Sequence, residues 1–240
     1  MTTLLEFKDL KKAFKDKNVV IIGSAPSALQ HNTKSNIESY DEIIRVNNFK
    51  TKGIDLKNIA YDYSELLGER TDWHYSFYGG SIRTKIEEIK GIKGHLCKCP
   101  NDECHVTQWH IDRNQQQGGD FRPIYRRRKD YWIAPVYIPE KKHYMELFNI
   151  LDKHVPSTGF ACIWELIQCE PKKLYITGFD FMRCKKHNVD ELWNPGNQDD
   201  PIRHMWDLEA ALLKKWAYKS KMIRLDNHLR RIFYGIKNVI

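Results

Sequence analysis

Residues 19 to 23, VVIIG, run apolar without a break and stop at a glycine. A continuous β-branched run predicts a strand buried on both faces of a parallel sheet, because a half-exposed strand alternates polar and apolar positions. EIIRV at 42 to 46 predicts a second such strand, and IAYDYS at 59 to 64 a third. Phe160, Ile163, Trp164 and Ile167 recur at helical spacing, LYITG at 174 to 178 returns to strand character, and MIRLDN at 222 to 227 supplies one more strand. The opening MTTLLEFKDLKKAFKDK reads as an amphipathic helix. Strands alternating with helices predict an α/β fold, one Rossmann-like domain around a mostly parallel sheet. Between about 94 and 135 the periodicity breaks into a polar, glycine-marked, aromatic stretch, which predicts a lid-like insertion.

Composition narrows the class without choosing the function. With 41% hydrophobic and 29% charged residues in 240, and no apolar run near the ~20 residues that span a bilayer, the chain reads as one globular catalytic or binding unit. The first residues lack a basic segment followed by an apolar stretch, which predicts a cytoplasmic address, and the six cysteines then read as free thiols. A net charge of +8 predicts attraction to anions: phosphorylated metabolites, nucleic acid, or acidic lipid headgroups by peripheral association.

Four stretches carry candidate chemistry. GSAPS places Gly23, Ser24, Ala25 and Ser27 at a strand-to-helix turn, where backbone N–H groups approach an anion, although a bare structural turn explains it equally. RVNNF puts Asn47 and Asn48 at a strand end, suited to ribose hydroxyls, a base edge or plain turn chemistry. PSTG sets Ser157, Thr158 and Gly159 at a helix start, as an N-cap, an anion site, or both.

The fourth stretch is PIRHMWDLEAALLKKW, 201 to 216. Asp200 as N-cap and Pro201 at the first helical position predict that His204 lies in the first turn, where the positive helix end keeps imidazole neutral and able to accept a proton. Met205, Leu208, Leu212 and Trp216 form the predicted apolar stripe, with Glu209 beside it, partly buried and in need of a partner.

Taken in order, these stretches resemble the sialyltransferases, glycosyltransferase families 29 and 42. VVIIGSAPS through IIRVNNF looks like their large motif, and PSTGFACIWELIQCEPKKLYITGFDF like their small motif, whose strand end here carries Gly178 and Asp180. HMWDLE matches a His-x₄-Glu motif, and LGERTD at 67 to 72 a segment between the first two motifs. The resemblance implies a variant GT-A fold and inverting transfer of sialic acid, or a related sugar acid, from a CMP-linked donor to an acceptor glycan. It implies His204 as catalytic base and Glu209 as its structural support. Gly23, Ser24, Ala25, Ser27, Asn47, Ser157, Thr158, Gly159, Gly178 and Asp180 would bind the donor, with no metal and no further cofactor. Three features depart from the pattern. Ser24 stands where asparagine is usual, Val19 replaces the cysteine of the animal enzymes, and the tyrosines that hold the donor phosphate lack a match. Arg183, Lys185, Lys186 and His187 are the substitutes for that last role.

Rival readings stay open at this stage. YRRRKDYW at 125 to 132 fits a nucleic-acid-binding module or a basic loop that steers an anionic substrate, whereas the resemblance implies no specific nucleic acid. Cys97, Cys99, Cys104 and His105 raise a zinc site with unusual spacing and half its partners missing. A CMP-Kdo transferase, or another nucleotide-dependent transferase, would use the same fold.

Overall fold

The computed structural model describes residues 3–30, 32–47, 52–54, 60–76, 91–98, 134–181 and 204–235. Eight strands form one sheet: Leu4–Leu5 (β1), Asn18–Ile22 (β2), Glu42–Val46 (β3), Trp73–Ser76 (β6), Gly94–Cys97 (β7), Val136–Tyr137 (β8), Lys173–Thr177 (β9) and Ile223–Leu225 (β10). Their order is β1-β8-β7-β6-β3-β2-β9-β10, and every pairing in the sheet is parallel. Lys52–Ile54 (β4) and Ala60–Asp62 (β5) pair antiparallel as a separate small sheet.

The unbroken apolar runs are explained by two covered faces. Val19 and Ile21 point into one core with Ile44, Phe160, Leu213 and Leu229, while Val20 and Ile22 point into another with Ala28, Ile37 and Leu67. The first core lies under helices Phe7–Phe14 (α1), Lys141–Ile150 (α4), Thr158–Gln168 (α5), Trp206–Lys219 (α6) and Asn227–Tyr234 (α7). The second lies under a short 3-10 turn, Pro26–Leu29, with Lys34–Glu38 (α2) and Ser64–Leu67 (α3). Removing each such aliphatic side chain from water contributes about 1.5–3 kcal/mol. Among the described residues no helix is long and apolar enough to cross a membrane.

Three sequence expectations are corrected. IAYDYS does contain a strand, but β5 pairs only with β4, and the place beside β3 belongs to Trp73–Ser76. WHYS escapes a hydrophobic-run reading because its buried polar side chains find partners: Trp73 Nε1 donates to Glu42 at 2.8 Å. The opening stretch divides, with Leu4–Leu5 pairing β8 and the helix confined to Phe7–Phe14. The segment read as an insertion begins with sheet, since β7 sits between β6 and β8; its residues 99 to 133 lie outside the described residues.

Arg45 explains the LGERTD segment. Its buried guanidinium donates from Nε to Thr71 Oγ1 at 2.8 Å and from Nη2 to the carbonyls of Leu67, Gly68 and Arg70 at 2.8, 3.1 and 3.1 Å. Burial pulls its pKa down to about 10, so it stays charged at neutral pH. Arg45→Lys puts a single ammonium where a planar fork serves four acceptors, and is expected to cost about 2 kcal/mol or more in urea unfolding.

Candidate active site

Register brings the motifs to one edge. Ile22 pairs with Arg45 on one side and Thr177 on the other, Val46 pairs with Tyr75, and Ser76 pairs with Cys97. Gly23, Asn47, Lys98 and Gly178 therefore all emerge just beyond the carboxyl ends of β2, β3, β7 and β9, on one side of the sheet. From β2 the chain proceeds to β3 on one side, whereas β9 returns on the other. Such a reversal opens a crevice above the sheet, the usual ligand site of open α/β folds.

The floor of the crevice is two glycine turns placed against each other. A Cβ on Gly23 would lie 2.3 Å from Gly178 O, and one on Gly178 would lie 2.4 Å from Gly23 O. Gly23 N and Ala25 N donate to Thr177 O and Gly178 O at 2.9 Å each. Those two donors of the GSAPS turn are thus spent on the neighbouring strand, which corrects their expected use on an anion. Ser24 is half-buried, and Ser27 is buried with no hydrogen-bond partner for its hydroxyl among the described residues. Gly178→Ala adds a Cβ at φ +76° into that contact and is expected to destabilise by about 3 kcal/mol, measured by thermal unfolding.

Polar side chains that sequence reasoning missed fix the turns. Asn32 donates to Ala28 O at 2.6 Å and to Thr177 Oγ1 at 2.9 Å. Thr177 in turn donates to Asp226, which also accepts from Gly178 N and caps α7 through Leu229 N. Burial raises the pKa of Asp226. An Asp directly after strand residues IRL was the available signal for that cap.

The wall is the start of α5. Ser157 is its N-cap, accepting from Phe160 N at 3.2 Å, as expected. Gly159 leaves room for the Phe179 ring, since a Cβ there would meet it at 2.3 Å. Thr158 is half-buried beside it. Glu209, 0% exposed, accepts from Ser157 N and Ser157 Oγ at 2.6 Å each, so it has the partner its predicted position demanded. Burial pushes its pKa up to about 7, against the opposing pull of these bonds and of the Lys98 charge. Lys98 is itself buried at the end of β7, a cation beside the crevice that no sequence pattern singled out.

His204 stands before α6 rather than in its first turn. The helix begins at Trp206 with Met205 as N-cap; Asp200 and Pro201 lie outside the described residues. The buried face also differs from the expected stripe. Glu209, Ala210 and Leu213 face the core, Leu208, Leu212 and Trp216 flank it, and Met205 is 38% exposed. Trp216 stacks on Phe160 of α5 at 5.2 Å between ring centroids, clamping the two helices.

The His204 ring is oriented by Val155, whose carbonyl lies 2.8 Å from Nδ1. A carbonyl only accepts, so Nδ1 carries the proton and the lone pair of a neutral ring resides on Nε2. The ring also meets Trp206 edge-on at 4.9 Å. His204 and Glu209 thus grip Val155 and Ser157, two residues apart, from one segment.

Asn47 adopts a left-handed backbone, φ 62°, at the end of β3. Asp180 is buried just past β9. Asn48, the substitutes Arg183, Lys185, Lys186 and His187, and the basic run at 125 to 132 lie outside the described residues. So do Cys99, Cys104 and His105; Cys97 is buried and packed near Val136.

Fold and crevice together define an α/β protein built on one parallel sheet, with a switch-point cleft floored by glycine turns and flanked by His204. No family model matches the chain, and no curated protein matches its sequence. Solved structures do match in fold. The monofunctional α-2,3-sialyltransferase Cst-I from Campylobacter jejuni aligns with TM-score 0.58 and 14% identity, over 93% of this chain and 81% of that one. CstII from Campylobacter jejuni, in complex with the substrate analogue CMP-3FNeuAc, gives TM-score 0.56 and 15% identity, over 90% and 85%. A mammalian sialyltransferase in complex with Gal-beta-1-3GalNAc-ortho-nitrophenol gives 0.55 and 16%, over 90% and 71%. The fold is shared with these enzymes at low sequence identity.

Proposed function

We propose that the protein is an inverting glycosyltransferase that moves sialic acid, or a related sugar acid, from a CMP-linked donor to an acceptor glycan hydroxyl. The observation that carries this reading is His204, held by Val155 as the Nδ1–H tautomer beside a switch-point cleft. Its Nε2 takes the proton of the acceptor hydroxyl, the oxygen attacks the anomeric carbon, and CMP departs through an oxocarbenium-like state.

The donor lies across the crevice. Asn47 and the Gly23 turn face the nucleotide, and the N-terminus of α5, with Ser157, Thr158 and Gly159, offers its positive end to the phosphate or the sugar carboxylate. CMP carries one phosphate, so helix dipoles and a few cations suffice, and turnover should persist in chelator. A cytoplasmic protein that associates peripherally with membrane-borne acceptors agrees with the +8 charge.

The test is release of CMP from CMP-N-acetylneuraminic acid by the wild type and by His204→Ala, with and without chelator, alongside CMP affinity by calorimetry. Release by the wild type alone, with CMP bound by both, supports donor class and base together. Failure of the wild type to bind CMP or the donor overturns the reading.

A further inference from the structure

Two histidines deep in the sheet have no place in the chemistry above. His74 on β6 and His95 on β7 are both buried, at 2% and 0% exposure. Their rings lie 4.9 Å apart, with Nδ1 facing Nδ1 at 3.0 Å. His74 Nε2 contacts the carbonyl of Asn47, and His95 Nε2 lies 3.2 Å from Ser76 Oγ.

The proton positions follow from one fixed acceptor. Asn47 O only accepts, so His74 Nε2 carries the hydrogen. Burial lowers the His74 pKa below 6.5, so the ring is neutral at pH 7 and its Nδ1 is an acceptor. His95 Nδ1 must then donate, which makes His95 Nε2 an acceptor and Ser76 Oγ its donor. The result is a directed chain, from the Ser76 hydroxyl through both rings to the carbonyl of Asn47.

The chain ends at a strained position. Asn47 has φ 62°, in the left-handed region that glycine favours and that L residues, asparagine the most readily, enter only at single positions. Its N–H donates to Tyr75 O at 2.8 Å, and its C=O is taken by His74, so both peptide groups of this turn are tied to β6. A histidine pair that served packing alone would not need to terminate on a left-handed residue at the mouth of the crevice.

We infer that His74 is a positioning residue for nucleotide binding: it fixes the left-handed turn from which Asn47 meets the CMP moiety, and His95 and Ser76 hold it in the required tautomer. This rests on the nucleotide-binding reading of the crevice.

Three variants and one spectrum test it. His74→Phe keeps a ring of similar size and removes the donor; it is expected to weaken CMP binding and raise the donor KM about tenfold, with kcat within about threefold. His74→Gln returns an N–H near the position of Nε2 and is expected to recover most of that loss. Ser76→Ala, a mild change that releases the far end of the chain, is expected to weaken CMP binding a few-fold with a Tm close to wild type, and so reads the role even if His74→Phe does not fold. Nitrogen NMR of histidine-labelled wild type should show His74 as the Nε2–H tautomer. A folded His74→Phe, or Ser76→Ala, with wild-type CMP affinity overturns the inference and leaves the crevice assignment standing, as does an Nδ1–H tautomer. A wild type that does not bind CMP overturns both.

Discussion

His204→Ala is expected to lower kcat for transfer by about 10²- to 10⁴-fold while CMP affinity stays within about twofold. The split follows from where the contacts originate. His204 stands before α6, whereas the groups that this proposal assigns to the nucleotide come from β2, β3 and the start of α5, a region His204 meets at Val155 O. Losing that one bond leaves a carbonyl of buried Val155 unpaired, a cost of about 1 kcal/mol that should appear as a small drop in Tm. A variant that instead loses CMP binding and kcat together would make His204 a donor-binding residue, and full activity would remove it from the chemistry altogether.

Glu209→Ala is expected to destabilise by about 2–4 kcal/mol, because it opens a hole in the core and strands the N–H and hydroxyl of Ser157. Glu209→Gln can accept from Ser157 N and donate to Ser157 Oγ, so its cost at neutral pH should stay within about 1 kcal/mol. The pair also separates a pH effect. With its pKa at about 7 in the folded state against an ordinary 4.5, Glu209 holds a proton that the unfolded chain has released. Its contribution is fully present below pH 4.5 and is lost as pH rises through about 7, amounting to about 3 kcal/mol by linkage. Urea unfolding of wild type and Glu209→Gln at a series of pH values between 4.5 and 8 should show the wild type losing stability relative to the variant. Parallel curves would mean that the carboxylate is fully satisfied by Ser157 and Lys98 across that range.

What could be read from the chain differs between its elements for physical reasons. VVIIG, EIIRV and LYITG were legible as buried parallel strands because both faces of the sheet are covered, so apolar residues occupy consecutive positions instead of alternating with polar ones. GHLC and WHYS were not, because their polarity is paid for by pairings that sequence spacing does not encode: His74 with His95, and Trp73 with Glu42. The start of α6 was misplaced for a related reason. Aspartate and proline at 200 to 201 are sound local signals for a helix start, yet the helix begins only at Trp206, after His204 has met a carbonyl 49 residues away in sequence.

Motif order marked out His204, Glu209, the GSAPS turn, Asn47 and PSTG, since each is a local pattern of residue types at a strand end or helix start. By itself the sequence determined the class of fold, a helix start at PSTG with Ser157 or Thr158 as its N-cap, and a partly buried Glu209 in need of a partner, because helical and strand periods are properties of consecutive residues. Only the tertiary structure decided that the partner is Ser157, that Lys98 stands beside them, that Gly23 and Gly178 meet backbone to backbone, and that His204 Nδ1 meets Val155 O. Those are relations between segments tens to more than a hundred residues apart, set by strand order and register, and no local window contains them.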